Sequence, residues 1–327
     1  MKTRALYLCL YTSIRSHYWS NYLHYSAATM ASSTKQDEKT ERSFKMFDSP
    51  EFAQMYSSAE KVTGPYAKLL LEKANLDKVP DDEKLVVLDE ACGTGIVSVH
   101  LMDMLGDTAK NNLDLTCADF ADPMVNVATK RIESSGWKNA KAIKADGMDT
   151  KLPSSHFTHV LLNFGPMIFP DSKVGLREIY RLLRPGGTVA MSTWETLGWY
   201  PDVRAALATE PELPKMRVGE KLRELFSPED RWDDAAFIQE LVRSLGFVDV
   251  QTESVPQRSR ISRNSGIMGM LNGILGQMMT KSWTKEEQEK YSERAKTAVE
   301  RYMKQKYGED EIEWDWIAVL TVAKKPE

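Results

Sequence analysis

Val87-Leu88-Asp89-Glu90-Ala91-Cys92-Gly93-Thr94-Gly95 is the stretch whose reading decides the fold. With Leu85 and Val86 before it, the apolar run is the length of a strand buried on both faces. The helical pattern that begins at Ile96 follows directly on Gly95. A glycine loop between a buried strand and a helix is where doubly wound α/β folds hold nucleotide-like ligands, at the carboxyl edge of the sheet. Gly93 and Gly95 permit a backbone approach that a Cβ would block.

Outward from this loop, strands and helices alternate. The pattern predicts a helix over 96–106, a strand over 114–118, a helix over 123–135 and strands over 140–144 and 158–163. A helix over 172–183 then leads through Arg184-Pro185-Gly186-Gly187 to a strand over 188–193. This rhythm predicts a mostly parallel, doubly wound sheet with right-handed crossovers. Apolar segments at 247–252 and 316–322 complete seven strands. Two helices are expected before the first strand, one opening at Ser49-Pro50-Glu51 with Phe52, Met55, Tyr56 and Ala59 at helical spacing, the other over 64–76. Stretches at about 199–232 and 256–312 read as helical cap insertions, so the expected organisation is an extension over 1–42 and one domain over 43–327.

Composition narrows the function. The 327 residues carry 43 Lys and Arg against 47 Asp and Glu, a formal charge of -4 that gives no pull toward a phosphate backbone, so nucleic acid is not the expected partner. Cys9, Cys92 and Cys117 fit neither a disulfide framework nor a zinc site, and no metal is expected. No stretch approaches the roughly 20 apolar residues of a membrane span. The first 29 residues hold Lys2, Arg4 and Arg15 without an acid, the composition of an organellar presequence. An unstructured extension before Met30 is the preferred reading, with a cytoplasmic location.

Three features fall in register with the strand ends: two acids and a pair of methionines. Asp119 closes the second strand, where a carboxylate accepts from two adjacent ribose hydroxyls. Asp146, in Asp146-Gly147-Met148, follows the third strand, where it can accept from an adenine amine. Met124 and Met148 offer polarisable surfaces to the adenine faces. Taken singly, each acid reads as well as a helix cap or turn residue, and Met124 as core. A nicotinamide-binding dehydrogenase competes for the glycine loop, but its fingerprint asks for a small third residue where Ser98 stands and does not require the acid at 146.

Together with Arg184-Pro185-Gly186-Gly187, this set resembles the class I S-adenosylmethionine-dependent methyltransferases. The resemblance implies a Rossmann-like seven-stranded sheet and S-adenosylmethionine as cofactor. It places Asp89 and the backbone of Ala91, Cys92, Gly93 and Gly95 around the methionine portion, Asp119 and Phe120 at the ribose, and Asp146, Gly147 and Met148 at the adenine. Ala91 stands where the commonest pattern has its first glycine. Tyr56 and Thr63 on the N-terminal helices are candidates for the cofactor carboxylate, and Asn163 closes the fourth strand. Asn163-Phe164-Gly165-Pro166 departs from the pattern of nucleic-acid amino methyltransferases.

A closer likeness covers most of the chain after residue 43. Phe52-Ala53-Gln54-Met55-Tyr56, Glu60-Lys61-Val62-Thr63-Gly64, Gly136-Trp137-Lys138-Asn139-Ala140, Thr158-His159-Val160, Ser192-Thr193-Trp194 and Trp283-Thr284 are similar to segments of fungal natural-product methyltransferases of the gliotoxin bis-thiomethyltransferase kind. That likeness implies a small secondary metabolite as partner, with S-methylation of a thiol or dithiol first, O-methylation second and a catalytically silent regulatory protein as a remote third. Phe164, Met167, Trp194 and Trp199 are the expected lining of the acceptor pocket, beneath a Met-rich lid over 267–279. Core packing is the competing reading for each. No catalytic base stands out: His156 and His159 lie at the start of the fourth strand, and Glu195 is the remaining candidate. A thiol, with a pKa near 8.5, reaches its thiolate with little help, whereas an alcohol needs a placed base. Monomer and homodimer are both left open.

Overall fold

The computed structural model describes residues 47–80, 82–216 and 230–327. The expected extension over 1–42, with its presequence alternative, lies outside the described residues. The described residues fall within one compact unit, Met46–Glu327.

The β1 strand, Leu85–Glu90, is buried along its whole length, as its apolar run requires. Alongside it run β2 (Leu113–Asp119), β3 (Ala140–Lys144), β4 (Phe157–Asn163), β5 (Leu183–Thr196), β6 (Val248–Ser262) and β7 (Glu311–Lys324), in the order β3-β2-β1-β4-β5-β7-β6. Pairing from β3 through β5 is parallel. β7 is antiparallel to both of its neighbours, so the sheet is mixed where the sequence reading has it mostly parallel. The glycine loop sits where chain order reverses, because β1 is flanked by β2 on one side and β4 on the other.

Two helices precede the sheet: α1 (Pro50–Tyr56), capped by the Ser49 hydroxyl, and α2 (Glu60–Lys73), joined by a single 3₁₀ turn. The second starts four residues before the expected Gly64, and Pro65 lies inside it. Between the strands lie α3 (Ile96–Met104), α4 (Asp107–Asn111), α5 (Asp122–Ser135) and α6 (Ser172–Leu182). After β5 come α7 (Tyr200–Ala208) and α8 (Ala235–Ser244), and between β6 and β7 come α9 (Ile267–Ser282) and α10 (Lys285–Tyr307).

β6 and β7 are about twice the expected length. Before Ile317, β7 pairs with β6 alone, forming a ribbon of 257–262 against 311–316. The ribbon projects from the carboxyl edge of the parallel strands and carries α9 and α10 at its end. The stretch expected as a cap from 256 is therefore strand until Ser262, and the helices begin at Ile267. None of the described helices is long and apolar enough to cross a membrane.

Candidate functional site

Backbone geometry builds the glycine loop. Ala91, Gly93 and Gly95 all take positive φ (49°, 54° and 83°), so the turn needs three left-handed residues within five. Only glycine does this without strain, and Ala91 bears it beside Gly165, whose backbone leaves 3.2 Å between an added Cβ and the Ala91 Cβ. The Cys92 N–H donates to the Ala118 carbonyl, and its buried thiol turns toward the core, so Cys92 contributes backbone only. Burial and the neighbouring Cys117 thiol push the Cys92 thiol well up.

Asp119 ties the end of β2 to this loop. One carboxylate oxygen accepts from the Gly93 N–H at 2.8 Å and the other from the Ala121 N–H at 2.9 Å, which leaves free lone pairs on both oxygens. Burial raises its pKa, opposed by the backbone N–H groups of Ala121, Gly93 and Phe120. Phe120 beyond it is 41% exposed. Asp146 is exposed and accepts from the Met148 N–H at 2.9 Å, an Asx turn that shapes the loop after β3. Met148 is half-buried. Met124 is only 1% exposed and packs inside α5, so the sulfur surface near the loop is that of Met148 alone.

Asp89 lies beneath the loop, 1% exposed, with one oxygen accepting from Ser98 Oγ at 2.6 Å and the Ser98 N–H at 3.2 Å. Its other oxygen is buried without a partner, as is Oε2 of Glu90. Desolvation pushes Asp89 up to about 7 against the Ser98 bonds, with the Asp119 charge adding to the rise. Asp119, Asp89 and Asp146 all press on Glu90. Asp119 is thus bonded to the 91–95 turn and Asp89 to the first turn of α3, and the charges of Asp119, Asp89 and Asp146 all reach Glu90. Sequence reading passed over Glu90, whose signal was an ionisable residue ending a strand otherwise buried on both faces.

From above, α1 and α2 close on the turn. A Cβ at Gly93 would stand 3.5 Å from the Tyr56 ring. Burial and the charges of Asp119 and Glu60 push the Tyr56 phenol up to about 12. Glu60 accepts from Thr94 Oγ1 at 2.5 Å and receives both Arg131 guanidinium arms, at 3.0 and 3.3 Å, so α2, the loop and α5 are fastened together. Neither Glu60 nor Arg131 was visible as a site residue in the sequence. The Thr63 hydroxyl bonds back to the Ala59 carbonyl within its own helix, which turns it from the ligand side. Its carbonyl instead accepts from Asn163 Nδ2 at 3.4 Å. Asn163 Oδ1 accepts from Ser192 Oγ, which in turn accepts the Phe164 N–H and fixes Phe164 at φ 61°.

The residues expected to line an acceptor pocket are buried in this structure. Phe164 stacks on Trp194 at 3.8 Å and 12°, Tyr66 meets both rings edge-on, and Trp316 leans on Trp194 at 5.0 Å. Phe164, Met167, Trp194 and Trp199 are each at most 7% exposed, Phe164 and Trp194 within this aromatic cluster and Trp199 edge-on to Tyr200. The Met-rich helix is likewise seated: Ile267, Met270, Leu271, Leu275, Met278 and Met279 are buried, and Gly269 lies against the Met55 sulfur of α1. A cavity of about 320 Å³ lies among Tyr200, Val203, Leu207, Met278 and Trp283 at the cap. A groove of about 1040 Å³ runs beside Thr188, Val248 and Lys324, at the opposite edge of the sheet from the glycine loop.

This site suits a cationic adenosyl ligand. Asp119 keeps acceptor capacity for hydroxyl donors, and Asp89 holds a buried oxygen with no donor among the described residues, as an ammonium would require. No cluster of His, Cys, Asp and Glu fit to hold a metal occurs among the described residues.

Comparison with known proteins agrees. The chain is 35% identical over 283 residues to the acetylaranotin bis-thiomethyltransferase of Aspergillus terreus, covering 86% of this chain and 97% of that protein. It is 31% identical over 284 residues to methyltransferase tpcH of Aspergillus fumigatus, covering 86% and 99%. A demethylmenaquinone methyltransferase of Listeria welshimeri is 32% identical over 104 residues, 32% of this chain and 42% of that one. The pattern of the ubiE/COQ5 methyltransferase family matches residues 35–208, and with the site geometry it shows that this chain belongs to that family and is a methyltransferase that uses S-adenosylmethionine.

Proposed function

We propose that the protein S-methylates a thiol of a small secondary metabolite, with the reduced dithiol of an epidithiodiketopiperazine as the leading candidate acceptor. The observation that carries this is end-to-end similarity to a bis-thiomethyltransferase, over 97% of that protein's length. The site chemistry supports it. S-adenosylmethionine supplies an electrophilic methyl on a sulfonium, so the protein's task is alignment and exclusion of water.

This chain's residues divide that task. Asp119 accepts the ribose hydroxyls and holds Gly93 in place; Asp146 and the backbone of Gly147 and Met148 face the adenine; Asp89 and the 91–95 turn receive the amino-acid end. Tyr56 covers the turn. His156 is exposed just before β4, and His159 within it is held neutral, pushed down to about 4 mainly by burial. Glu195 accepts from Ser254 Oγ on β6. A thiol needs no stronger base than this setting provides.

Turnover of methyl-labelled cofactor against reduced dithiols and matched phenols tests the reading. Label on sulfur is the expected result. Label confined to phenolic oxygen would replace it with O-methylation, and no transfer to either class would leave the acceptor class wrong.

A further inference from the structure

Glu90 is 1% exposed at the last position of β1, on the opposite side of the strand from Asp89, and the adenosyl site as drawn above makes no use of it. Three observations place it. A Cβ at Gly147 would meet Glu90 Oε1 at 2.8 Å, so the carboxyl lies directly against the backbone of the 146–148 loop. The same Cβ would meet the Phe169 ring at 2.7 Å, and Phe169 is itself pressed against Gly175, so ring and carboxyl together fill the space under the loop. Oε2 is buried and has no hydrogen-bond partner.

The charged groups that act on Glu90 are all acids: Asp119 at the end of β2, Asp146 beyond β3 and Asp89 on its own strand. From the segment after β4, the uncharged Phe169 ring shares the space beside Gly147 with the Glu90 carboxyl. The Ala91 N–H is the donor that favours ionisation. Burial and three like charges, opposed by one amide, push the Glu90 carboxyl well above the usual carboxylate range.

We propose that Glu90 is a positioning residue for the cofactor: its neutral carboxyl supports the Gly147 loop from below, and its ionisation displaces that loop and weakens adenosyl binding. This rests on the assignment of the 146–148 loop to adenine. An ionised Glu90 would stand beside Asp119 and Asp146 with no cation among the groups acting on it. The loop would have to open to water to relieve that charge. Glutamine at this position keeps the shape, a donor and an acceptor but cannot ionise.

The test is calorimetric binding of S-adenosylhomocysteine to the full chain and to Glu90→Gln at several pH values from 6 to 9. Dividing wild-type Kd by variant Kd cancels the titration of the free ligand, which both proteins share. That ratio is expected to rise about tenfold across the range; a ratio constant within threefold overturns the proposal. A second measurement guards against a poorly folded variant. Asp146→Asn removes one of the charges pressing on Glu90, so the alkaline loss of affinity should begin at lower pH than in wild type. An unmoved midpoint would count against the proposal equally. Weakened binding in Asp119→Ala, together with a flat ratio, would leave the adenosyl site intact and refute the role of Glu90 alone.

Discussion

Two acids at the loop lend themselves to direct test. Asp119 bonds Gly93 and Ala121 while retaining acceptor capacity, so Asp119→Ala removes both a ligand contact and a loop tether. Cofactor binding is expected to weaken by about 1–3 kcal/mol, and calorimetry that showed unchanged affinity would remove Asp119 from the ribose. Asp89 speaks through pH. Its folded pKa is raised from 3.8 to about 7, so its contribution to stability is fully present below about pH 4 and is lost as pH rises through 7. Asp89→Asn cannot ionise and is free of that loss. Between pH 5 and pH 8, urea denaturation of the cofactor-free protein should show the variant gaining about 2–3 kcal/mol relative to wild type. A stability difference independent of pH would mean that Asp89 is ionised throughout. Both acids were legible in the sequence because strand ends are predictable from apolar runs. Glu90, Glu60 and Arg131 were not, since what matters for them is which neighbour they meet across the fold.

At the level of elements, α1 and α2 do more than cover the sheet. Tyr56 lies over Gly93, Glu60 holds Thr94 and Arg131, and Met55 meets Gly269 of α9, so this short helical segment touches both the cofactor turn and the cap. Glu60→Ala should release the turn, and hydrogen exchange at the amides of 93–95 is expected to quicken about tenfold, or about 1.4 kcal/mol. Unaltered exchange there would make the contact a passive one. The limits of sequence reading show most clearly in elements of this kind. β3 was readable to the residue at 140–144, since turn signals bound it on both sides, and β4 to within one. The start of α2 was misplaced because Pro65 suits a first helical turn, yet here it lies one turn in. β6 and β7 were read at half length because only their sheet-embedded parts are continuously apolar. In the ribbon, burial on one face (Ile261, Ile312, Trp314, Trp316) alternates with Arg258–Asp315 and Arg260–Glu313 pairs on the other, and Pro256 interrupts the pattern. That alternation is a strand signal, but without knowledge of its partner strand it resembles loop.

Across the whole molecule, cap and sheet meet at a single buried acid. Asp202 on α7 is 3% exposed and accepts from Lys306 Nζ at 2.5 Å and Tyr307 Oη at 2.7 Å, both on α10, and from Trp314 Nε1 of the ribbon at 2.9 Å. α7 is thereby joined to α10 and to the ribbon around one carboxylate. Removing it strands the buried Trp314 donor, while Lys306, whose side chain is 44% exposed, can turn to water. The cost of Asp202→Ala is therefore expected at about 2–4 kcal/mol, below that of leaving a charge fully buried. Because the bonds hold the cap and not the loop, the loss should appear in denaturation and as a raised KM for the acceptor, with cofactor Kd within about twofold of wild type. If cofactor affinity fell in step with acceptor affinity, cap and cofactor turn would be one cooperative unit, coupled through the packing of α1 against α9, and the division of labour between them would have to be abandoned.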